Sequence, residues 1–174
     1  MMKLNLGCGK NIKPEYVNLD IALLSGVDVV CDLNRGWLPF KESRFDEVYI
    51  RHVLEHLEGF SSVIEDIVRT LKPEGLLKVE APHCSSPSAY SDPTHRRFFS
   101  YNTFRYFTEG YVFNFYSKAR VEIIRTRLVF GTGRLAVINW LVNPIVNTVP
   151  NFYERFLMWR FPVEAVEYTL RAIK

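Results

Sequence analysis

Only three of the 174 residues are cysteine: Cys8, Cys31 and Cys84. An odd number at such wide spacing supplies neither a disulfide framework nor a CxxC metal knuckle, so a reducing compartment is expected. No apolar run reaches the roughly 18 residues that suggest a membrane-spanning helix. Glycine arrives at position 7, before any hydrophobic signal region forms, and the expected location is therefore cytoplasmic. Internal repeats and low-complexity linkers are missing too. At this length the chain reads as a single domain, 1–174.

What is present is an ordinary globular balance, 48% hydrophobic and 24% charged, which excludes a disordered or fibrous chain. Residues 1–94 carry 10 Lys+Arg against 14 Asp+Glu, whereas residues 95–174 carry 12 against 5 and hold 18 of the 25 aromatic residues. The basic, aromatic half suits either an anionic or amphipathic partner or a core rimmed by snorkelling arginines. Its basic residues are scattered rather than striped, which disfavours nucleic acid.

Short apolar runs punctuate the first half: Lys3–Leu6, Tyr16–Leu19, Val27–Cys31, Glu47–Ile50 and Leu76–Ala81, each closed by glycine, an acid, arginine or proline. Between the last two, Val63, Ile64, Ile67, Val68 and Leu71 share one helical face. Ser62 and Glu65 read as a capping box, and Lys72-Pro73-Glu74-Gly75 reads as the helix stop. Strands alternating with helical segments predict an α/β fold, a doubly wound and mostly parallel sheet with helices on both faces. Ligands of such sheets sit beyond the carboxyl ends of the strands.

Farther along, Tyr101–Phe107 reads as a helix, Arg120–Phe130 as a long strand and Val163–Ile173 as a closing strand. Asn139, Asn143, Asn147 and Asn151 recur every four residues in an otherwise apolar stretch, one polar stripe on a helix that Pro144 and Pro150 must break or kink. The helical insertion at 135–161 is open to four readings: a cover packed on the sheet, a lid over an apolar pocket, a homodimer interface, or a peripheral membrane contact anchored by Trp140 and Trp159.

Gly7-Cys8-Gly9 after the first strand is a turn whose bare backbone can approach a ligand closely. A dinucleotide fingerprint would require a third glycine in register, a full helix and an acid about 20 residues on. Asp20 follows Gly9 by only 11 residues, which counts against NAD or FAD. Asp20 and Asp32 each close a strand, one placed to accept from both hydroxyls of a ribose and the other from an adenine amino group. A nucleoside without pyrophosphate fits, and S-adenosylmethionine is such a ligand.

Leu4-Asn5-Leu6-Gly7-Cys8-Gly9, Asn18-Leu19-Asp20, Asp32-Leu33 with Leu38-Pro39-Phe40, Phe45-Asp46 with His52-Val53-Leu54-Glu55-His56-Leu57, and Leu71-Lys72-Pro73-Glu74-Gly75 resemble the ordered motifs of class I S-adenosylmethionine-dependent methyltransferases, most closely the type 11 small-molecule group. The resemblance covers about residues 3–82, the cofactor-binding half, and leaves 83–174 to the acceptor. It implies a seven-stranded sheet with an antiparallel last strand. It also implies cofactor contacts from Gly7, Cys8 and Gly9, ribose contacts from Asp20, adenine contacts from Asp32 and Leu33, and contacts near Arg51 and His52. Asn11 stands where a third glycine is common, and the first helix is nearly deleted. Binding of the cofactor without turnover is the alternative these departures motivate.

His52-Val53-Leu54-Glu55-His56 also matches the inverted zincin pattern, in which histidines four apart share a helix face and hold zinc. A chain of this length leaves little room for a peptide cleft, and the expectation is no metal. For methyl transfer the candidate bases are His83 and His95, with Asp92 able to orient a histidine. Arg96 and Arg97 are candidates for holding an anionic acceptor, and His56 reads as a packing histidine. Arg51-His52-Val53 occupies the place where an Asn/Asp-Pro-Pro-Tyr/Phe segment would mark methylation of DNA bases or glutamine. The expected acceptor is accordingly a small molecule, sugar or lipid-linked glycan, methylated at oxygen.

Overall fold

The apolar runs of the first half become parallel strands of one sheet in the computed structural model, which describes residues 1–131 and 133–174. The strands are β1 (Lys3–Leu6), β2 (Val17–Asp20), β3 (Val29–Val30), β4 (Phe45–Arg51), β5 (Leu71–Pro82), β6 (Val121–Val129) and β7 (Ala165–Ala172), in the order β3-β2-β1-β4-β5-β7-β6. β7 runs antiparallel to both β5 and β6, and the other pairings are parallel. The expected fold class is the observed one.

Helices are sparser than expected. Neither the β1–β2 nor the β2–β3 connection contains one. The former is held instead by two buried asparagines. Asn5 donates to Asn11 O and Asn18 Oδ1, both at 2.9 Å, while Asn18 accepts from Lys13 N and donates to Lys13 O and Tyr16 O. Their amides satisfy each other and the loop backbone, which a loop must achieve if no helix does it.

Helix α1 (Phe60–Thr70) buries Val63, Ile64, Ile67 and Val68, the face its periodicity indicates. Each such aliphatic side chain, fully buried, stabilises by about 1.5–3 kcal/mol. Two local expectations are corrected. Ser62 donates to Gly59 O instead of forming a capping box, and the Glu65 carboxylate accepts from Ser117 and Lys118 N. The helix also ends at Thr70, because Leu71 already pairs with Phe45 in the sheet. Lys72-Pro73-Glu74-Gly75 then interrupts the ladder, which resumes at Leu76 opposite Glu47, and Glu74 takes a φ of +65° within it.

The second half adds α2 (Ser88–Ser91), a 3-10 turn at Thr103–Phe107 where a helix was expected, α3 (Asn139–Thr148) and α4 (Pro150–Phe156). Pro144 lies within α3, and Pro150 opens α4 at its first turn, where no amide donor is missed. The asparagine stripe has a definite job. Asn147 accepts from Leu128 N and donates to Leu128 O, Asn143 accepts from Phe130 N, and Asn139 pairs with both backbone groups of Gly131. The polar side of α3 thus lies on the free edge of β6, and its apolar side faces outward, with Trp140 77% and Ile145 64% exposed.

Candidate active site

β1 ends in a turn at Gly7 and Gly9, both in the left-handed region (φ +63° and +49°). A Cβ at Gly7 would stand 2.1 Å from Val53 Cγ2, so glycine is required there by close packing as well as by conformation. The turn is clamped to the end of β2. Gly9 N donates to Asp20 Oδ2 at 2.7 Å, Ala22 N donates to Asp20 Oδ1 at 2.9 Å, and Cys8 N donates to Leu19 O at 3.0 Å. Asp32, past β3, caps the 3-10 turn Leu33–Arg35 by accepting from Asn34 N at 2.9 Å.

These strand ends enclose a cleft of about 380 Å³. Of the residues expected to touch a cofactor, Gly7, Asp20, Asp32, Leu33 and His52 line it; Cys8, Gly9 and Arg51 do not. Cys8 is buried beneath the turn, and Arg51 is turned to Glu80 at 3.1 Å. The sequence reading missed the apolar walls Leu19, Ile21 and Leu57 and assigned His56, which also lines the cleft, to packing. Each lies at or just past a strand end, a signal that was available. The cleft fits a nucleoside: two carboxylates retain acceptor capacity beyond their backbone bonds, and Leu19, Ile21, Leu33 and Leu57 give the same cleft aliphatic walls.

His52 adopts φ +52° directly after β4, with Nδ1 donating to Glu55 at 3.3 Å and Nε2 3.6 Å from Glu80. Hydrogen bonding to Glu55 and then Glu80 outweighs partial burial and raises its pKa to about 9. The zincin geometry is not formed. Residues 54–56 make only one 3-10 turn, so His52 and His56 do not share a helix face.

His56 instead meets His95 from the later loop, with ring centroids 4.6 Å apart. The loop is docked by Arg96 N and Arg97 N, both donating to Glu55 O at 2.7 and 3.1 Å. Asp92 Oδ2 lies 3.9 Å from His95 Nε2, while Asp92 Oδ1 accepts from the amide and hydroxyl of Thr94, which lowers the pKa of this exposed carboxyl. Arg96 pairs with Glu58 and Arg97 donates to Glu58 O, so both guanidinium groups are engaged.

His83 is placed apart from the cleft. It is 0% exposed; Nδ1 accepts from Ser85 N at 3.1 Å, which leaves the proton on Nε2 to donate to Glu154 of α4 at 3.0 Å. The same Glu154 oxygen accepts from Tyr101 N. His83 therefore ties the end of β5 to α4.

Residues 8–79 match the family model described as a methyltransferase domain. The matched residues carry the sequence pattern of a methyltransferase domain, and the fold around them is the one that class I S-adenosylmethionine-dependent methyltransferases share. No curated protein matches the sequence. Among solved structures, a SAM-dependent methyltransferase from Archaeoglobus fulgidus superposes with TM-score 0.65 at 17% identity, over 98% of this chain and 85% of that one. The [4+2]-cyclase SpnF gives 0.62 at 18% identity, over 99% and 74%. A protein in complex with the Trm112 methyltransferase activator of Haloferax volcanii gives 0.58 at 14%, over 98% and 81%. At these identities the likeness shows the fold, and the cyclase shows that one fold carries more than one chemistry.

Proposed function

We propose that the methyltransferase acts on a hydroxyl oxygen of a small-molecule, sugar or lipid-linked glycan acceptor. The observation that carries the reading is that His56 lines the same cleft as Asp20 and Asp32 and meets His95 edge to face, so imidazoles stand beside the space that fits the nucleoside. In this reading Asp20 accepts from ribose hydroxyls, Asp32 and Leu33 meet the adenine, and Gly7 with His52 borders the rest of the cofactor. Bound S-adenosylmethionine supplies a methyl group on a positive sulfur. The acceptor oxygen forms the new C–O bond as the C–S bond breaks, the electron pair stays on sulfur, and the hydroxyl proton passes to a basic group at the His56–His95 pair. Ala89 O orients His95 through Nδ1, and Asp92, 3.9 Å from Nε2, acts on the loop through Thr94. His83 acts from a distance, by fixing α4 through Glu154. Much of the rate comes from holding oxygen and methyl in line.

The lipid-linked form of the acceptor is supported by the outward face of 135–161. Trp140, Ile145, Phe152, Phe156, Trp159 and Phe161 are exposed there beside Arg155 and Arg160, and the segment's one acid, Glu154, is turned inward to His83. No helix among the described residues is long and apolar enough to cross a membrane; the contact read from this exposed apolar and basic face is a peripheral one.

Calorimetry with S-adenosylmethionine and transfer of labelled methyl to a panel of saccharides and polyprenyl-linked sugars test the proposal. Binding and a labelled ether are the expected results. Binding without product on any acceptor would favour a cofactor-binding protein without turnover, the reading that the helix-free β1–β2 connection supports. No binding at millimolar ligand would overturn both. Sedimentation with anionic vesicles checks the surface contact separately.

A further inference from the structure

Beside the nucleoside contacts, Glu55, His56 and His95 form a cluster of ligating side chains. One carboxylate oxygen and one nitrogen of each ring lie within 4.8 Å of one another. Glu55 is 1% exposed, and its Oε2 has no hydrogen-bond partner among the described residues, although Oε1 accepts from His52. A buried carboxylate oxygen left without a partner costs free energy that a structure rarely leaves uncompensated.

The hydrogen bonds around the two rings fix which nitrogen of each neutral ring keeps a lone pair. Thr94 Oγ1 spends its proton on Asp92 Oδ1 at 2.6 Å, so its contact with His56 Nδ1 at 2.8 Å makes Nδ1 the donor. Ala89 O can only accept, so His95 Nδ1, 3.1 Å away, is a donor too. In the neutral rings both Nε2 atoms are therefore unprotonated. A histidine whose second nitrogen is oriented by a carbonyl or a hydroxyl–carboxylate pair is the usual support of a metal ligand.

We propose that Glu55, His56 and His95 hold a divalent first-row transition cation, of the zinc or manganese class. Two imidazoles and one carboxylate suit such ions and leave coordination positions open. Because His56 lines the cleft, an open position faces the space where an acceptor would enter. In the ion-loaded protein the cation would take the acceptor hydroxyl as a ligand and lower its pKa, the proton then leaving to solvent, whereas in the ion-free protein the histidines keep the role of base given above. That last step rests on the oxygen-acceptor reading; the site itself rests on geometry alone.

The test is titration of the chelator-stripped protein with Co²⁺, followed by visible absorption, and with Zn²⁺ against a chromophoric chelator. One ion per chain is expected. His95→Gln should abolish the stoichiometric site, and Thr94→Val, which removes only the support of His56, should weaken it by about 10–100-fold. Thermal midpoint and S-adenosylmethionine affinity are measured on each variant and should hold. Absence of a stoichiometric ion in the wild type, or equal affinity in folded His95→Gln, overturns the metal site. Cofactor binding without ion binding would overturn this inference and leave the methyltransferase reading standing; ion binding without cofactor binding would do the reverse.

Discussion

The Asn147 side-chain amide replaces a missing neighbour strand for Leu128, accepting from its N–H at 2.7 Å and donating to its carbonyl at 2.8 Å. Four helical residues advance about 6 Å and two strand residues about 6.6 Å, so asparagines spaced by four can serve strand positions spaced by about two. An unpaired edge invites association with other chains, and a covering element removes that hazard. Asn147→Leu should cost about 1–3 kcal/mol through two unpaired backbone groups. A lower thermal midpoint, with concentration-dependent association on gel filtration, is the expected outcome. An unchanged midpoint and a monodisperse variant would show that the ladder does no stabilising work.

How much of this was legible in the sequence depends on the range of the interaction. The strand positions of the first half, the α1 face and the convergence of Asp20 and Asp32 on one cleft follow from local periodicity and from strand-end rules. The four-residue asparagine period was visible, but its partner was not, because Leu128 and Phe130 lie up to 19 residues away in sequence. Asn5 and Asn18 escaped notice for the same reason: polar residues inside short strands look like weak strand residues until the loop they hold is seen. Glu55, His56 and His95 illustrate the opposite failure. A familiar five-residue spacing drew His52 and His56 together, whereas the 3-10 turn separates them and a backbone clamp 40 residues later supplies His95.

Gly7 and Gly9 separate two reasons for glycine. Gly7→Ala combines positive φ with a Cβ 2.1 Å from Val53 Cγ2, whereas at Gly9 a Cβ meets nothing within 4 Å. Gly9→Ala should therefore cost only about 1 kcal/mol, the conformational part, and Gly7→Ala clearly more. Adding Val53→Ala should recover part of the Gly7→Ala loss in a double-mutant cycle of thermal denaturation. Equal costs at the two glycines would mean that the contact with Val53 is relaxed at no cost.

Asp32→Ala probes the cleft with little structural confusion, because its carboxylate bonds only the neighbouring Asn34 N and Arg35. A direct bond to the adenine amino group predicts about tenfold weaker S-adenosylmethionine binding, or about 1.4 kcal/mol, at a nearly unchanged melting temperature. Calorimetry showing wild-type affinity would remove Asp32 from the cofactor contacts. Asp20→Ala should lose more, since it also frees Gly9 N and Ala22 N.

The acid limb of stability should report Glu47. Burial alone would raise its pKa, but hydrogen bonds from Lys78 at 2.7 Å and from the Tyr16 hydroxyl prevail and lower it. A carboxyl whose pKa is lower folded than unfolded binds fewer protons in the native state. It therefore stabilises above its unfolded value of about 4.3 and loses that stabilisation as pH falls through the lower folded value. Glu47→Gln should destabilise at pH 7 and progressively less toward pH 3, converging on the wild type in urea melts. The Tyr16 and Lys78 contacts join the β1–β2 loop to β4 and β5, so the variant should also raise hydrogen exchange in residues 10–16 at neutral pH. A constant difference between the two proteins from pH 7 to pH 3 would mean that the ionised form of Glu47 is not what the sheet holds.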